Sequence, residues 1–112
     1  MNVKSAKAKG RKLQNLVRDK LREAFPSLHE DDIKSQTMGM RGQDIVLSPL
    51  AIKSIPYAIE CKNVERLRFW KTVDQAQENI KENQTPIIVV KKNNKEPWVA
   101  MPLEHFTDLI KE

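Results

Sequence analysis

Cysteine is almost absent from this chain, since Cys61 is the only one among its 112 residues. A single cysteine excludes an intramolecular disulfide framework and a zinc site built from four cysteines. His29 and His105 have no partner at the spacing of a metal site, so we expect both on the surface. No uninterrupted apolar stretch exceeds four residues, whereas a membrane-spanning helix needs about 18 or more. The sequence therefore predicts no membrane partner.

From the sequence we also expect no targeting segment, internal repeat or linker. Its first residues, Met-Asn-Val-Lys-Ser-Ala-Lys, contain no apolar segment of the kind found in signal peptides. Hydrophobic residues make up 39% of the sequence, which is enough for a core. Two separate domains would each be too small to bury a useful core. We expect one domain spanning residues 1–112, located in the cytoplasm.

Positive charge is concentrated at one end of the chain. Residues 1–24 carry eight Lys or Arg side chains and two acidic ones, whereas the other 88 residues carry twelve and thirteen. A basic segment suits binding to a phosphate backbone, because neutralised phosphates release condensed counterions. Lys9, Arg11 and Lys12 are the candidate DNA contacts. The alternative is a solvated lysine-rich helix that only aids solubility, and the charge alone leaves both interpretations open.

The apolar pattern predicts an α/β domain with a mixed central sheet of about five strands flanked by helices. An amphipathic, basic helix is expected over residues 5–25, ended by Pro26. We expect strands over 32–37, 43–47, 57–62, 87–90 and 98–101, and helices over 65–82 and 103–110. The predicted order is α-β-β-β-α-β-β-α. We interpret Phe69 and Trp70 as core residues of the second helix.

Asp44, Glu60 and Lys62 form the constellation that suggests chemistry. Side chains alternate along a strand, so Glu60 and Lys62 share one face of the third predicted strand. Asp44 lies near the start of the preceding strand and approaches Glu60 if the two strands pair. Two carboxylates about 4 Å apart repel by roughly 4 kcal/mol at an effective dielectric of 20. Such a pair therefore needs a cation between its members or a raised pKa on one of them.

Oxygen ligands of this kind favour Mg²⁺, with Mn²⁺ as a second possibility. The main-chain carbonyl of Cys61 lies between the two polar strand residues and could complete the ligand set, while its thiol is expected to be a small buried apolar group. Lys62 could then orient a metal-bound water and balance charge on a phosphate. The alternative interpretation of Glu60 and Lys62 is a solvated ion pair on an exposed strand.

With these residues, the chain resembles the PD-(D/E)xK nuclease superfamily, in particular its small Holliday-junction-resolvase-like endonucleases of bacteria, archaea and phages. The resemblance covers most of the chain. It rests on residues 9–14, Gly-Gln-Asp-Ile at 42–45, Pro-Tyr-Ala-Ile-Glu-Cys-Lys-Asn at 56–63, Trp70, and Gln-Ala-Gln-Glu-Asn at 75–79. It implies a restriction-endonuclease-like core and a Mg²⁺-dependent phosphodiesterase. In that enzyme, Asp44 and Glu60 hold the metal and Lys62 serves the hydrolytic water.

Two positions depart from the pattern of the family. The proline of its name is replaced by Gln43, at a position that the superfamily often varies. The metal-linked glutamate of the first helix corresponds to Gln14, whose neutral amide makes a second metal ion less favourable. Gln14 falls inside the apolar stripe of its helix. It is either a site residue with a polar partner or a boundary residue that reaches solvent.

For the second predicted helix, the family resemblance and the apolar periodicity point to different glutamines as the residue facing the site. The resemblance points to Gln75 as the residue facing the site, whereas periodicity places Gln77 within the apolar stripe. We favour Gln75 because the edge of a helix that faces a site need not coincide with its apolar stripe.

Together these features predict a metal-dependent DNA endonuclease selective for branched DNA such as a Holliday junction. Cutting a junction symmetrically needs two sites related by a twofold axis, so we expect a homodimer. Arg41, just before Asp44, could hold a phosphate beside the metal or be a solvated loop residue. The compact chain suggests a phage, and so the cytoplasm of a bacterial host. The alternatives are a non-catalytic DNA-binding module on the same fold and a basic RNA-associated protein.

Overall fold

A computed structural model describes residues 3–112 of the chain. Met1 and Asn2, the first two residues of the predicted basic segment, lie outside the described residues. The helices are α1 (Val3–Ala24), α2 (Pro49–Ser54), α3 (Phe69–Glu78) and α4 (Leu103–Ile110). The strands are β1 (Ile33–Ser35), β2 (Ile45–Leu47), β3 (Tyr57–Asn63), β4 (Thr85–Lys91) and β5 (Trp98–Ala100). The mixed α/β class predicted from the sequence is confirmed.

The strands form two small sheets, so the prediction of one five-stranded sheet is wrong. β1 and β2 make an antiparallel pair, and the second sheet has the order β3-β4-β5. β3 and β4 run parallel, whereas β4 and β5 are antiparallel. β2 contains only three residues before α2 diverts the chain, which leaves no length for a ladder with β3.

Helix α2 is absent from the predicted order, although the sequence carries its signals. The Ser48 hydroxyl accepts the backbone N–H of Ala51 at 3.0 Å, and Pro49 occupies the first turn. A serine followed by a proline is a typical helix start, because both residues suit the free N–H groups of the first turn. Ala51 is fully buried and fastens this short helix to the core.

Helix α1 packs against both sheets. Its Leu13 belongs to the main core, together with Ile33, Ile45 and Ile59. In the last turn of the helix, the Arg22 guanidinium donates to the carbonyl of Ile33 at 2.9 Å. Because α1 contacts β1 and β3 at once, it joins the two sheets into one structure.

The two faces of β3 have different neighbours. Ile59 and Cys61 face the core that includes Leu13 of α1. Since side chains alternate along a strand, Glu60 and Lys62 project to the opposite face. Helix α3 covers part of that face, where Ala76 is buried. The polar residues of β3 therefore lie between the strand and α3.

Helix α3 is shorter than predicted, and its aromatic residues are not in the core. Trp70 is 75% exposed and Phe69 is 38% exposed, which contradicts their assignment as core residues. Helix α4 is held by a 2.7 Å hydrogen bond between His105 and the hydroxyl of Tyr57, so His105 is half-buried rather than a surface residue. Among residues 3–112, no helix has the length and apolar character that crossing a bilayer requires.

Candidate metal centre at the edge of β3

Asp44 is fastened to the free edge of β3 by two hydrogen bonds. Its backbone N–H donates to the carbonyl of Ile59 at 3.1 Å, and its carboxylate Oδ2 accepts the N–H of Cys61 at 2.7 Å. The carbonyl of Asp44 accepts the N–H of Gln36, the residue that follows β1, at 2.8 Å. The Asp44 carboxylate is therefore placed beside Glu60, between the two sheets.

Glu60 completes a close carboxyl pair with Asp44. The Glu60 side chain is buried, with 8% of the residue exposed, and its carboxyl lies close enough to that of Asp44 for the two to influence each other's ionisation. Burial and, secondarily, the negative charge of Asp44 raise the pKa of Glu60 to about 7. Burial also raises the pKa of Asp44, although the Cys61 N–H and Lys62 oppose this shift. The pair therefore shares a proton more readily than two exposed carboxyls would.

One oxygen of this pair lacks a hydrogen-bond donor. Glu60 Oε2 is buried and has no partner among residues 3–112. A buried acceptor without a donor costs about 1–3 kcal/mol, and a cation would satisfy it. Cys61 N–H points to Asp44, and the N–H and C=O of one strand residue point to the same edge. The carbonyl of Cys61 therefore points to the edge of β3 at which Asp44 lies.

These donors suit Mg²⁺, which is usually held by one or two carboxylates and keeps several waters. Within residues 3–112, no group of three or more His, Cys, Asp or Glu side chains converges on one point. Asp44 and Glu60 are thus the carboxylate ligands that the site offers, and Cys61 adds a carbonyl. The Cys61 thiol is buried and its pKa is raised by burial, so it is not an activated nucleophile.

Lys62 lies two residues from Glu60 on the same face of β3. It is half-buried, and its positive charge favours the ionised forms of Asp44 and Glu60. Its ammonium has no hydrogen bond or salt bridge within the described part of the chain. The structure therefore brings Asp44, Glu60 and Lys62 together and leaves the lysine available to a ligand.

Asn79, at the carboxyl end of α3, belongs to the site, and sequence reasoning missed it. Its side-chain amide interacts with the Glu60 carboxylate and opposes the raised pKa of that group. The same amide donates to the carbonyl of Gly42 at 3.2 Å. Asn79 lies four residues after Gln75, within the segment that carries the family resemblance, and this spacing was the available signal.

Gln43, the residue before Asp44, forms hydrogen bonds that position this part of the chain. Its side-chain amide donates to the carbonyl of Asn79 at 2.8 Å and to Gln84 Oε1 at 2.6 Å. Gln84 in turn donates to the carbonyl of Tyr57 at 3.2 Å. These bonds tie the residue before Asp44 to the end of α3 and the start of β3, so Gln43 helps to position the acid pair.

Gln14 is buried, with 6% of the residue exposed, so it does not reach solvent. Its Oε1 has no hydrogen-bond partner in the part of the chain that the structure describes. α1 packs on the face of β3 that carries Ile59 and Cys61. The Gln14 side chain thus contains a second buried oxygen without a hydrogen-bond donor. It belongs to α1, which covers the face of β3 opposite to Glu60.

The two glutamines of α3 face different surroundings. Gln77 is exposed and lines an apolar groove with Trp70 and Val73. Gln75 is half-buried and lies one turn before Asn79, on the side of the helix that reaches Glu60. This placement favours Gln75 over Gln77 as the residue that faces the site.

The predicted DNA contacts differ in their availability. Arg11 and Lys12 are exposed on α1, and Arg41 is exposed in the turn before Asp44. None of these three side chains has a partner within residues 3–112. Lys9 is partly buried, and its ammonium lies 3.9 Å from the carboxylate of Glu65. Arg11, Lys12 and Arg41 are therefore free to meet phosphates, whereas Lys9 is engaged within the protein.

Comparison with known proteins does not add a relative from which a role could be transferred. The chain matches no protein-family model, no curated protein and no solved structure.

Proposed function

We propose that the protein is a Mg²⁺-dependent DNA endonuclease with a restriction-endonuclease-like core. The observation that carries this proposal is the Asp44–Glu60 pair, in which a buried Glu60 oxygen lacks a donor and Lys62 lies beside it with a free ammonium. A solvated ion pair, the alternative for Glu60 and Lys62, does not fit a glutamate that is 8% exposed. Mn²⁺ would fit the same oxygen ligands.

Asp44, Glu60 and the carbonyl of Cys61 would hold the metal. When bound, Mg²⁺ supplies Lewis-acid stabilisation of the phosphate and lowers the pKa of a coordinated water. The hydrogen bonds to Ile59 and Cys61 keep the Asp44 carboxylate in place, so it needs no reorganisation when the substrate arrives. Asn79 stabilises the ionised form of Glu60, which is the form that binds a cation.

Lys62 would act on the water and on the phosphate. Its ammonium can donate to the attacking water and stabilise negative charge that develops on the phosphate oxygens. Hydrolysis joins the water oxygen to phosphorus and breaks the bond to a sugar oxygen, which takes up a proton. Arg41, exposed ahead of Asp44, is suited to hold a phosphate next to the scissile one.

The proposed substrate is branched DNA, which is recognised by shape. Reading a base sequence requires several side chains aimed at base edges from an inserted helix or ribbon. Four-way junctions should then bind at least about tenfold more tightly than linear duplex, a difference of roughly 1.4 kcal/mol.

A homodimer would supply two sites for such a substrate, and α4 offers a surface for it. Leu103, Phe106 and Ile110 recur at helical spacing and are all exposed, and Leu103 lines a groove together with Trp70 of α3. Exposed apolar side chains that cluster in this way mark a protein interaction site. We propose a second copy of the chain as the partner of this surface.

The experiment that tests the function compares labelled junction, flap and duplex substrates with Mg²⁺ or EDTA. The proposal predicts cleavage in Mg²⁺ and none in EDTA, with branched substrates preferred. Competition binding in Ca²⁺ measures the preference without turnover. Binding without cleavage in Mg²⁺ or Mn²⁺ would favour the non-catalytic DNA-binding module, and selective RNA binding would favour the RNA-associated protein.

A further inference from the structure

Trp98 is a large aromatic residue on the same face of the sheet as Lys62. In the register of the sheet, Lys62 pairs with Val90 on β4, and Val90 pairs with Trp98 on β5. Paired residues project from the same face, and adjacent strands lie about 4.8 Å apart. The Cα atoms of Trp98 and Lys62 are therefore about 10 Å apart, two strand spacings. Trp98 is 67% exposed. Nothing in the site described above uses it.

The Trp98 ring lines an open groove of about 370 Å³ at the carboxyl end of β3 and β4. Val64 and Leu67 lie on one side of this groove, and residues of the β4–β5 hairpin lie on the other. Apolar and aromatic side chains line this groove together with Lys91, Lys92 and Lys95, which form its basic rim. The Lys91 ammonium donates to the carbonyl of Lys92 at 3.0 Å. We call this feature the Trp98 groove.

Positive charge collects around the Trp98 groove from three parts of the chain. Arg66 and Arg68 are exposed in the loop that leads to α3, on either side of Leu67, which lines the groove. The basic helix α1 joins at the same end, because Asn63 donates to the carbonyl of Lys9 at 3.1 Å. The charge of α1, which the sequence presents as a separate segment, is thus continuous with the hairpin in the fold.

Glu65 links α1 to the hairpin, and its two contacts offset the negative charge of its carboxylate. Its carboxylate lies 3.9 Å from the ammonium of Lys9 and accepts the backbone N–H of Asn93, in the turn of the hairpin, at 2.8 Å. Glu96 is the other acidic residue that lines the groove, against three lysines. The rim therefore keeps an excess of positive charge.

The groove beside Trp70 gives a contrast within the same molecule. It is lined by apolar side chains and Gln77, and it carries no charged residue. An uncharged apolar surface suits a protein partner, whereas an aromatic ring surrounded by lysines suits a nucleic-acid strand. Single-stranded nucleic acids are bound in this way, with bases stacked on aromatic rings and phosphates held by cations.

We propose that Trp98 is a stacking platform for an unpaired base, and that the lysines of the β4–β5 hairpin hold the phosphates on either side of it. The inference rests on the proposed function, which it deepens by naming the substrate class. That class is DNA with unpaired nucleotides next to the scissile phosphate, such as a flap or an opened branch point. A strand that passes over Lys62 would reach Trp98 within about three nucleotides, taking the spacing of about 3.4 Å per phosphate along one strand.

The test is binding of a short oligothymidylate, measured in EDTA so that cleavage plays no part. The Trp70→Phe variant keeps Trp98 as its only tryptophan and should lose fluorescence when the oligonucleotide binds. The matched Trp98→Phe variant keeps only Trp70 and should show no comparable quenching. Trp98→Ala should weaken binding of the oligonucleotide by about tenfold, whereas Trp98→Phe should retain most of the affinity because a phenyl ring still stacks.

Blunt duplex provides the second arm, since its bases are not free to stack. Trp98→Ala should change duplex affinity by less than about twofold, and Leu50→Ala, at another exposed apolar position, should change neither. Lys92→Ala combined with Lys95→Ala should flatten the salt dependence of oligonucleotide binding, which Trp98→Ala should leave unchanged.

Three outcomes would overturn the inference. They are quenching of Trp70 instead of Trp98, an equal loss of duplex and oligonucleotide affinity in Trp98→Ala, and a loss of self-association in Trp98→Ala with unchanged DNA affinity. The last would make the groove a protein contact. Absence of cleavage in Mg²⁺ with the predicted quenching intact would instead reject the nuclease and leave the stacking platform standing.

Discussion

The carboxylate of Asp44 accepts the backbone N–H of Cys61 at 2.7 Å, across the edge of β3. With the bond from Asp44 N–H to the Ile59 carbonyl, it holds Asp44 to the strand on both sides of Glu60. One backbone bond and one side-chain bond of Asp44 thus make the connection between the two sheets that a β2–β3 ladder would otherwise make. The same connection brings two carboxyls together that would repel each other in isolation.

Two substitutions of Asp44 distinguish its role as acceptor for the Cys61 N–H from the effect of its negative charge. Asp44→Asn keeps an oxygen that can accept the Cys61 N–H and removes the repulsion with Glu60, so the melting temperature should stay equal or rise. Asp44→Ala leaves that N–H without its acceptor and should lower the free energy of unfolding by about 1–3 kcal/mol. Both variants should lose Mn²⁺ binding, measured by electron paramagnetic resonance, and cleavage. Full Mn²⁺ affinity in Asp44→Asn would remove the residue from the ligand set.

Metal-free stability should fall as the pH rises through neutrality. The pKa of Glu60 is about 7 in the folded protein against an ordinary value of 4.5, so the folded state binds more protons between these values. Stability is then greatest below about pH 4.5 as far as this group is concerned, and it is lost as the pH rises through about 7. We expect a loss of about 1–2 kcal/mol, less than the full shift implies because nearby water screens the charge.

Urea unfolding in EDTA at pH 5.5 and pH 8 measures this change, with Glu60→Gln as the matched control. The glutamine variant cannot ionise at this position, so its stability should depend less on pH. An equal pH dependence in both proteins would show that Glu60 ionises in the folded state as it does in the unfolded chain.

The basic helix should supply affinity that does not depend on DNA sequence. Arg11→Ala combined with Lys12→Ala should weaken every DNA substrate alike and reduce the slope of log K against log salt by up to about 0.9 per lost contact. Adding Lys9→Ala should change the slope less, because Lys9 lies beside Glu65. Lys53→Ala with Lys81→Ala removes the same charge elsewhere and serves as the control. A slope unchanged by the α1 substitutions would mean that these side chains are only solvated.

The apolar surface of α4 should hold two copies of the chain together. Leu103→Glu or Phe106→Glu places a charge in this surface and should convert the dimer to a monomer in analytical ultracentrifugation. Leu50→Glu adds the same charge at an exposed apolar position of α2 and should have no effect. A wild-type protein that is monomeric at the concentrations where it cuts would rule out the dimer, and with it a resolvase that cuts both strands symmetrically.

Local patterns in the sequence predicted most elements but not how the sheets divide. Helix α4 occupies the predicted residues 103–110, and β3 extends only one residue past its predicted end. The division into two sheets could not be read from the sequence, because it depends on whether β2 pairs with β3 and on where α2 turns the chain. The exposure of Trp70 was also hidden, since an apolar side chain at helical spacing suits a core and a protein interface equally.

Sequence reasoning placed Asp44 near Glu60, and the fold brings them together. Strand alternation correctly assigned Glu60 and Lys62 to one face. The place of Asn79 in the site and the hydrogen bonds of Gln43 were not predicted, because both depend on where α3 ends relative to β2. The proximity of α1 to the β4–β5 hairpin was not predicted either. Lys9 and Asn93 are far apart in the sequence, and Glu65 links them in the fold.

The central claim is that Lys62 acts on the chemical step next to the Asp44–Glu60 pair, and single-turnover cleavage of a flap or junction by Lys62→Ala tests it most directly. The assay uses saturating enzyme and Mg²⁺, with DNA affinity measured separately in Ca²⁺. Lys34→Ala, which removes an exposed lysine of β1, is the control for lost charge. The account predicts that Lys62→Ala abolishes cleavage while DNA affinity stays within a few fold, because the lysine acts on the water and the transition state. Cleavage by Lys62→Ala at the wild-type rate would contradict it.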